Sequence, residues 1–293
     1  METLLLTAEG RDIETAARLL REGKTVAIPT ETVYGLAADA LDPSAVAAIF
    51  EAKGRPQDNP LIVHIADRGQ LAPLVTHIPP EALRLADLWW PGPLTMILPR
   101  ADIVPAIVSA GLPTVAVRLP AHPAARAIIK AAGTPLAAPS ANISGRPSPT
   151  SAAHVLADLG GKIAAVVDGG PCGIGVESTV ISLIDKPRLL RPGGVTPEML
   201  CEVLPDLIID QAVKSPLTDE TKAAPSPGMK YQHYSPNADV IIVRGKQQEY
   251  AEYISTHVGP GTAALCFEGE TDRLNVPTVT YGRRGRPEEQ VYC

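Results

Sequence analysis

The stretch Lys53-Gly54-Arg55-Pro56-Gln57-Asp58-Asn59-Pro60-Leu61-Ile62-Val63-His64-Ile65 places a cationic turn directly before an apolar run. Lys53 offers a compact charge and Arg55 a planar fork of five N–H donors. One residue between them lets an extended backbone spread both over a polyanion. The apolar run predicts a buried strand. The stretch therefore predicts an anion-binding loop at the edge of a sheet.

A second polar stretch, Ser140-Ala141-Asn142-Ile143-Ser144-Gly145-Arg146-Pro147, also interrupts apolar sequence. The hydroxyls of Ser140 and Ser144 and the amide of Asn142 are neutral groups that orient an anion rather than attract it. Either stretch alone is equally typical of a solvated turn or a polar loop. Together they predict two walls of one phosphate site.

Apolar runs alternate with amphipathic segments along the first 210 residues. Strands are predicted at residues 4–7, 26–28, 61–65, 94–98, 115–119, 164–167 and 179–184. Helices are predicted at residues 11–22, 43–53, 81–88, 123–132 and 151–159. Asp42-Pro43 supplies an N-cap and a first-turn proline for the second helix, which ends at Lys53. The pattern predicts an α/β domain with a mixed sheet.

Residues 211–237 lose this pattern and become rich in proline and serine, which predicts a linker. Its segment Met229-Lys230-Tyr231-Gln232-His233-Tyr234 is too rich in aromatic and hydrogen-bonding groups for a simple spacer. Residues 238–293 predict a smaller α/β unit, with strands at 240–243, 262–267 and 276–281 and a helix at 247–257. Residues 283–293 look like the approach to a further helix, so this unit is predicted to be truncated or to end irregularly.

Composition excludes several classes of protein. The 293 residues carry a net charge of −6, which argues against a stable RNA partner unless basic groups gather on one face. The four cysteines are scattered without a CxxC pair, so neither a zinc site nor a disulfide framework is expected. The N-terminus has no secretory pattern, and the apolar windows are far shorter than the roughly 20 residues of a membrane span. A cytoplasmic protein is expected.

The candidate chemistry is that of charge neutralisation. The sequence has no GxxxxGK[ST] or GxGxxG motif, so a nucleotide would have to be held by side-chain cations. Lys53, Arg55, Arg118 and Arg191 together would roughly balance a triphosphate, although each alone is more typical of a surface charge. The stretch at residues 29–35, PTETVYG, suits a small zwitterion or else a capped helix start. No catalytic triad or metal-ligand set is found, so positioning is favoured over covalent catalysis.

The whole string then resembles a known family. PTETVYGL, KGRPQDNPLIVHI, WWPGPLTMIL, VAVRLP, APSANISGRPSPT, GGPCGIGVESTV and RPGG occur in this order between residues 29 and 194 and resemble the YrdC family. The segment PSPGMKYQHYSP at residues 225–236, followed by a small α/β unit, is similar to the long two-domain members of that family. The resemblance implies a twisted, open α/β sheet with a positively charged concave surface.

The resemblance also implies an activity, that of an L-threonylcarbamoyladenylate synthase, a nucleotidyltransferase. Such an enzyme makes threonylcarbamoyl-AMP and diphosphate from L-threonine, bicarbonate and ATP, with Mg2+ as the expected cofactor. The product feeds the t6A modification beside the anticodon of tRNAs that read ANN codons. The implied partners are therefore tRNA or a downstream threonylcarbamoyl-transferase complex, and no membrane.

Site residues follow from the same resemblance, with Lys53 and Arg55 as the catalytic pair. Threonine is expected to contact Thr32, His64, Arg118, Ala138 and Ser178. ATP is expected to contact Lys53, Arg55, Asn59, Thr114, Ser140, Asn142, Ser148, Arg191 and, closing from the linker, Tyr231.

Two other functions remain compatible with the residues. A non-catalytic RNA-binding module would use the basic concavity to accept double-stranded RNA by shape. A carbamoyl-transfer module of the hydrogenase-maturation type would require further zinc-finger and acylphosphatase-like segments, and the sequence has neither.

Overall fold

The computed structural model of the chain describes residues 2–214 and 239–286. These residues form two units: residues 2–172 with 176–214, and residues 239–286 with the short segment 173–175. The predicted linker lies outside the described residues, Tyr231 included, except for its first four residues. Those four, Gln211–Lys214, form a helix.

The first unit is built on a mixed sheet, which in the described part of the chain has eleven strands. The strands are β1 Leu4–Thr7, β2 Val26–Ile28, β3 Gly35–Asp39, β4 Ile62–His64, β5 Leu94–Pro99, β6 Thr114–Arg118, β7 Leu136–Ala137, β8 Ala165–Asp168, β9 Thr179–Ser182, β10 Arg188–Arg191 and β11 Ile208–Ile209. Their spatial order is β1-β8-β2-β3-β7-β4-β6-β5-β9-β10-β11.

Parallel and antiparallel neighbours are interspersed, which confirms the predicted mixed α/β fold. For example, β4 runs parallel to β6, whereas β5 runs antiparallel to it. Strands β3, β7, β10 and β11 are not predicted by the sequence pattern. Strand β3 reads Gly-Leu-Ala-Ala-Asp, in which small residues give little β-propensity, and β7 and β11 have two residues each.

The helices of the first unit are α1 Gly10–Arg21, α2 Pro43–Lys53, α3 Pro80–Trp89, α4 Ala106–Ser109, α5 Pro123–Ala132, α6 Ala152–Leu159, α7 Pro197–Val203 and α8 Gln211–Lys214. Helix α2 begins as predicted: the Asp42 carboxylate accepts the Ser44 backbone N–H at 2.9 Å, and Pro43 occupies the first turn. It ends at Gly54, whose left-handed φ of 59° suits glycine. This stop fixes where Lys53 emerges.

Helices cover both faces of the sheet. Alternate residues of β2 show how: Val26 and Ile28 pack with α1 and α5 on one face, whereas Ala27 packs on the face covered by α2, α3 and α6. Leu20 of α1 and Ile49 of α2 are completely buried. Burial of such a side chain stabilises the fold by about 1.5–3 kcal/mol. The sheet therefore lies between two apolar layers.

The second unit contains α9 Gln247–His257, β12 Ala264–Cys266 and β13 Thr278–Thr280, and the two strands pair in parallel. The predicted helix and the two later strands are confirmed. The predicted strand at residues 240–243 is wrong. Val240, Ile241 and Ile242 are irregular and exposed, because a run of apolar residues forms a strand only where a neighbouring strand takes its backbone hydrogen bonds.

Within the described ranges, no helix combines the length and the apolar character needed to cross a bilayer.

Candidate functional site

A cleft with about 550 Å³ of empty space opens in the first unit. Its walls come from the segments before β3 and β4, the ends of β4 and β6, the segment after β7, and the residues where β9 begins and β10 ends. Eight residues predicted for the site line it: Thr32, Arg55, His64, Arg118, Ala138, Ser140, Ser178 and Arg191. The structure therefore brings together groups that lie up to about 160 positions apart in the chain.

Three neighbouring strands supply one wall of the cleft. His64 of β4 is the register partner of Arg118 of β6, and Arg118 is the register partner of Thr95 of β5. Paired residues on adjacent strands project from the same face of a sheet. His64, Arg118 and Thr95 thus form a polar row, which we call the strand wall. All three are buried.

Arg118 is the charged centre of the strand wall. Its Nη2 lies 2.6 Å from Glu31 Oε1, its Nη1 donates to Thr32 Oγ1 at 2.9 Å, and its Nε donates to the Gly92 carbonyl at 3.2 Å. Glu31 is itself oriented, because its Oε2 accepts the backbone N–H of Ala121 at 3.0 Å. The ion pair with Glu31 does not have hydrogen-bond geometry, so among the described residues the buried Nη2 has no hydrogen-bond acceptor. N–H groups of Arg118 therefore remain for a substrate carboxylate.

His64 is neutral in the folded protein. Its Nδ1 lies 3.2 Å from the Ile62 carbonyl, so Nδ1 carries the proton and Nε2 presents a lone pair. Burial, and secondarily the positive charge of Arg118, lowers the pKa of His64 from 6.5 to about 3. His64 is therefore both a satisfied interior histidine and part of the cleft lining.

Ser178 lies where the strand wall meets Arg191. The Ser178 hydroxyl is 2.8 Å from Thr95 Oγ1 and accepts a hydrogen bond from Arg191 Nη2 at 3.1 Å. Arg191 Nε donates to the Ser178 carbonyl at 3.0 Å. Gly193 permits this approach: a Cβ atom there would lie 2.4 Å from the Glu177 carbonyl oxygen.

The opposite side, which we call the loop wall, consists of residues 53–60 and 138–148. Lys53 lies behind its surface and does not line the cleft. Its Nζ is buried and donates to the carbonyls of Ser140 at 2.5 Å and Asn142 at 2.6 Å, and lies 3.4 Å from Asn142 Oδ1. Burial, and secondarily the charge of Arg55, holds the pKa of Lys53 well below its usual value.

Asn142 is also internal to the loop wall. Its amide donates to the carbonyls of Ile143 at 2.9 Å and Arg146 at 2.7 Å. Arg55 does line the cleft, and its Nη2 donates to the carbonyls of Asn59 at 3.3 Å and Pro60 at 3.1 Å. The loop wall is therefore held by side-chain hydrogen bonds to backbone carbonyls.

Three further predicted residues lie near the cleft without lining it. The Asn59 side chain is buried, with Arg55 bonded to its backbone. Thr114 lines a smaller pocket of about 210 Å³, which shares Pro60 and Leu61 with the main cleft. The Ser148 hydroxyl donates to Glu177 Oε1 at 2.6 Å, and Glu177 lines the cleft.

The sequence predicts no role for Thr95 or Glu177, and it offers Glu31 only as the carboxylate of the polar stretch at residues 29–35 that suits a zwitterion. Glu31 and Glu177 each stand in a polar motif beside a predicted site residue, and that adjacency is a usable signal. Thr95 lies in the apolar run of β5, where a single threonine is unremarkable. Only the register of the sheet shows that Thr95 belongs to the site.

Comparison with known proteins gives matches along nearly the whole chain. The Sua5/YciO/YrdC family model, described as "Telomere recombination", matches residues 18–193, and the model of the threonylcarbamoyl-AMP synthase C-terminal domain matches residues 195–291. The threonylcarbamoyl-AMP synthase of Pyrococcus abyssi is 56% identical over 238 residues, covering 81% of this chain and 69% of that protein. The Bacillus subtilis enzyme of the same name is 52% identical over 289 residues, covering 97% of this chain and 82% of that protein.

The fold is also similar to that of a solved structure. The crystal structure of P. abyssi Sua5 complexed with L-threonine superposes with a TM-score of 0.88 at 46% sequence identity. The match covers 99% of this chain and 85% of that one.

Proposed function

The chain belongs to the Sua5/YciO/YrdC family, and from that premise we propose that it is an L-threonylcarbamoyladenylate synthase. The substrates are L-threonine, bicarbonate and ATP, and the products are threonylcarbamoyl-AMP and diphosphate. The observation that carries the proposal is the meeting of Arg55, Arg118 and Arg191 around one cleft that also holds neutral hydroxyls and a neutral imidazole.

The strand wall is assigned to threonine. Arg118 pairs with the substrate carboxylate through its remaining N–H groups, and the hydroxyls of Thr32 and Ser178 lie beside it. The lone pair on His64 Nε2 accepts a hydrogen bond from the ammonium or hydroxyl group. The main chain around Ala138 closes the floor, where Gly35 lets the two segments approach closely.

The loop wall and Arg191 are assigned to ATP. Arg55 and Arg191 neutralise the phosphates, and Ser140 and Ser148 lie in or beside the cleft as neutral groups that can orient them. Thr114, which lines the small neighbouring pocket, and Asn59 are assigned to contact the rest of the nucleotide. The role of Tyr231 stays a prediction.

The chemistry balances without a covalent enzyme intermediate. Threonine, as its ammonium form, combines with bicarbonate to give the N-carboxylate, water and a proton. An oxygen of that carbamate then forms a bond to the α-phosphorus of ATP as the bond to diphosphate breaks. Arg55 and Arg191 stabilise the charge on the leaving diphosphate, and the two walls hold the reacting groups together.

Mg2+ fits the residues present. Protein-bound Mg2+ usually takes one or two carboxylates together with substrate phosphates. Glu177, oriented by the Ser148 hydroxyl, supplies a carboxylate at the cleft. When bound, Mg2+ would withdraw charge from the phosphates.

The proposed role is in tRNA modification in the cytoplasm. Threonylcarbamoyl-AMP is an activated acyl donor, so the consuming step must be a transfer of the threonylcarbamoyl group. We assign that step to t6A formation beside the anticodon of tRNAs that read ANN codons, through a downstream transferase complex.

The test is direct. Incubation of the full chain with ATP, threonine and bicarbonate should release diphosphate and yield the adenylate, and omission of either threonine or bicarbonate should stop it. Arg55→Ala should abolish diphosphate release because the leaving group loses its counter-charge. The matched control is Arg11→Ala, at an exposed position of α1, which should retain full activity. Undiminished turnover by Arg55→Ala would reject the role of Arg55.

A further inference from the structure

The Ser178 hydroxyl lies between the guanidinium of Arg191 and the hydroxyl of Thr95. Arg191 Nη2 lies 3.1 Å from its hydroxyl oxygen, and a guanidinium can only donate. Thr95 Oγ1 lies 2.8 Å from the same oxygen, and geometry alone does not say which of the two hydroxyls donates. The direction of that bond decides what Ser178 can offer a ligand.

Burial fixes the direction. Thr95 is completely buried, and among the described residues its hydroxyl has Ser178 as its partner. If Ser178 donated, the Thr95 hydrogen would be buried without an acceptor, which is unfavourable. The satisfied arrangement has Thr95 donating to Ser178. Both lone pairs of Ser178 are then occupied, one by Thr95 and one by Arg191.

We propose that Thr95 is a positioning residue that makes Ser178 an obligate hydrogen-bond donor toward an anionic oxygen of the amino-acid substrate. The hydroxyl hydrogen of Ser178 is the one group left on that side chain, and Ser178 lines the cleft. This inference rests on the proposed function, because it assigns the ligand oxygen to threonine or its carbamate.

The surroundings favour an anionic oxygen as the acceptor. Thr95 is the register partner of Arg118, so the Ser178 hydroxyl lies beside the row that carries the buried guanidinium. A fixed donor next to a cation recognises a carboxylate more strongly than a hydroxyl or an ammonium. A neutral or cationic analogue should therefore gain little from Thr95.

The experiment measures the dissociation constant of L-threonine by calorimetry on the full chain. Thr95→Val keeps the shape of the side chain but replaces the hydroxyl by a methyl group, which cannot donate a hydrogen bond. This variant should weaken threonine binding about three- to ten-fold. Thr95→Ser restores the donor and should bind within two-fold of the wild type. Thr95→Ala, which cannot clash with its neighbours, should show the same loss as Thr95→Val.

A double-mutant cycle separates this role from general packing. If Thr95 acts through Ser178, Thr95→Val should cause no further loss in a Ser178→Ala background. An equal loss in both backgrounds, or unchanged affinity in Thr95→Val and Thr95→Ala, would overturn the inference. Wild-type protein that binds no threonine would instead overturn the proposed function itself, so the two failures are distinguishable.

Discussion

The two walls of the cleft are built by different means. The strand wall places His64, Arg118 and Thr95 by the backbone ladder that joins β4, β6 and β5. The loop wall lies on irregular backbone, and Lys53 holds it through carbonyls 87 and 89 positions away in the chain. The geometry of a backbone ladder survives the loss of one side chain, whereas the geometry of the loop wall depends on a few side chains, among which Lys53 bonds to two carbonyls.

The largest effect is expected at the loop wall. Lys53→Met should lower the free energy of unfolding by about 3 kcal/mol, because the buried carbonyls of Ser140 and Asn142 lose their donor. The apparent KM for ATP should rise at least ten-fold as the loop moves, while the threonine dissociation constant stays within two-fold. Urea unfolding, steady-state kinetics and calorimetry measure these quantities.

The matched control is Lys130→Met, at an exposed position in the last turn of α5. It should change neither the free energy of unfolding nor the KM for ATP. Equal losses of threonine and ATP affinity in Lys53→Met would mean that the two walls are not independent.

An intermediate effect is expected at the strand wall, as a pH dependence. His64 titrates at about 3 when folded and at about 6.5 when unfolded, so between these values the unfolded chain binds the extra proton. Stability should therefore fall as the pH drops below 6.5. At pH 5 the cost is about 2 kcal/mol relative to pH 8.

The matched variant is His64→Gln, which has no proton to bind. Urea unfolding of both proteins at pH 8 and pH 5 should show the extra loss in the wild type alone. If His64→Gln lost the same free energy of unfolding between pH 8 and pH 5, a group other than His64 would be responsible for the pH dependence.

The smallest effect is expected at the far end of the loop wall. Asp158 of α6 accepts the backbone N–H of Ile143 at 3.1 Å and pairs with Arg146 at 2.7 Å. Because Arg146 is largely exposed, Asp158→Asn should cost about 0.5–1 kcal/mol of stability and raise the KM for ATP two- to three-fold. Asp87→Asn, which weakens the exposed Arg68–Asp87 pair, should leave the KM unchanged. If Asp158→Asn lowered stability or raised the KM for ATP more than Lys53→Met does, Asp158 and not Lys53 would be the main support of the loop wall.

The sequence predicts the parts of the molecule that rest on local chemistry. The cap of α2 at Asp42 and the apolar strands follow from nearest neighbours, and three of the four predicted cations, Arg55, Arg118 and Arg191, do line the cleft. Lys53 does not line it, because its Nζ is directed at the carbonyls of Ser140 and Asn142. The sequence predicts that these two stretches share a site, but it does not show that Lys53 bonds to the second stretch and so lies behind the wall. Strand β3 went unnoticed because its residues are small.

The pairing register of the strands also cannot be read from the sequence. Thr95 in an apolar strand gives no signal by itself, and its membership of the site follows from pairing with Arg118. Long-range pairing is a property of the whole sheet, so only coordinates could reveal it.

The residues next to the strand wall limit which substitutions the sheet can accept. Val63, Val117 and Met96 are register partners one residue away from His64, Arg118 and Thr95, and they face the aliphatic layer on the other side of the sheet. Sliding β6 by one position would exchange Arg118 for Val117 at the cleft. Val63 and Val117 therefore fix the register that brings Arg118 to the cleft, although neither contacts the ligand. A substitution that changes the shape of either valine should alter which ligands the cleft binds.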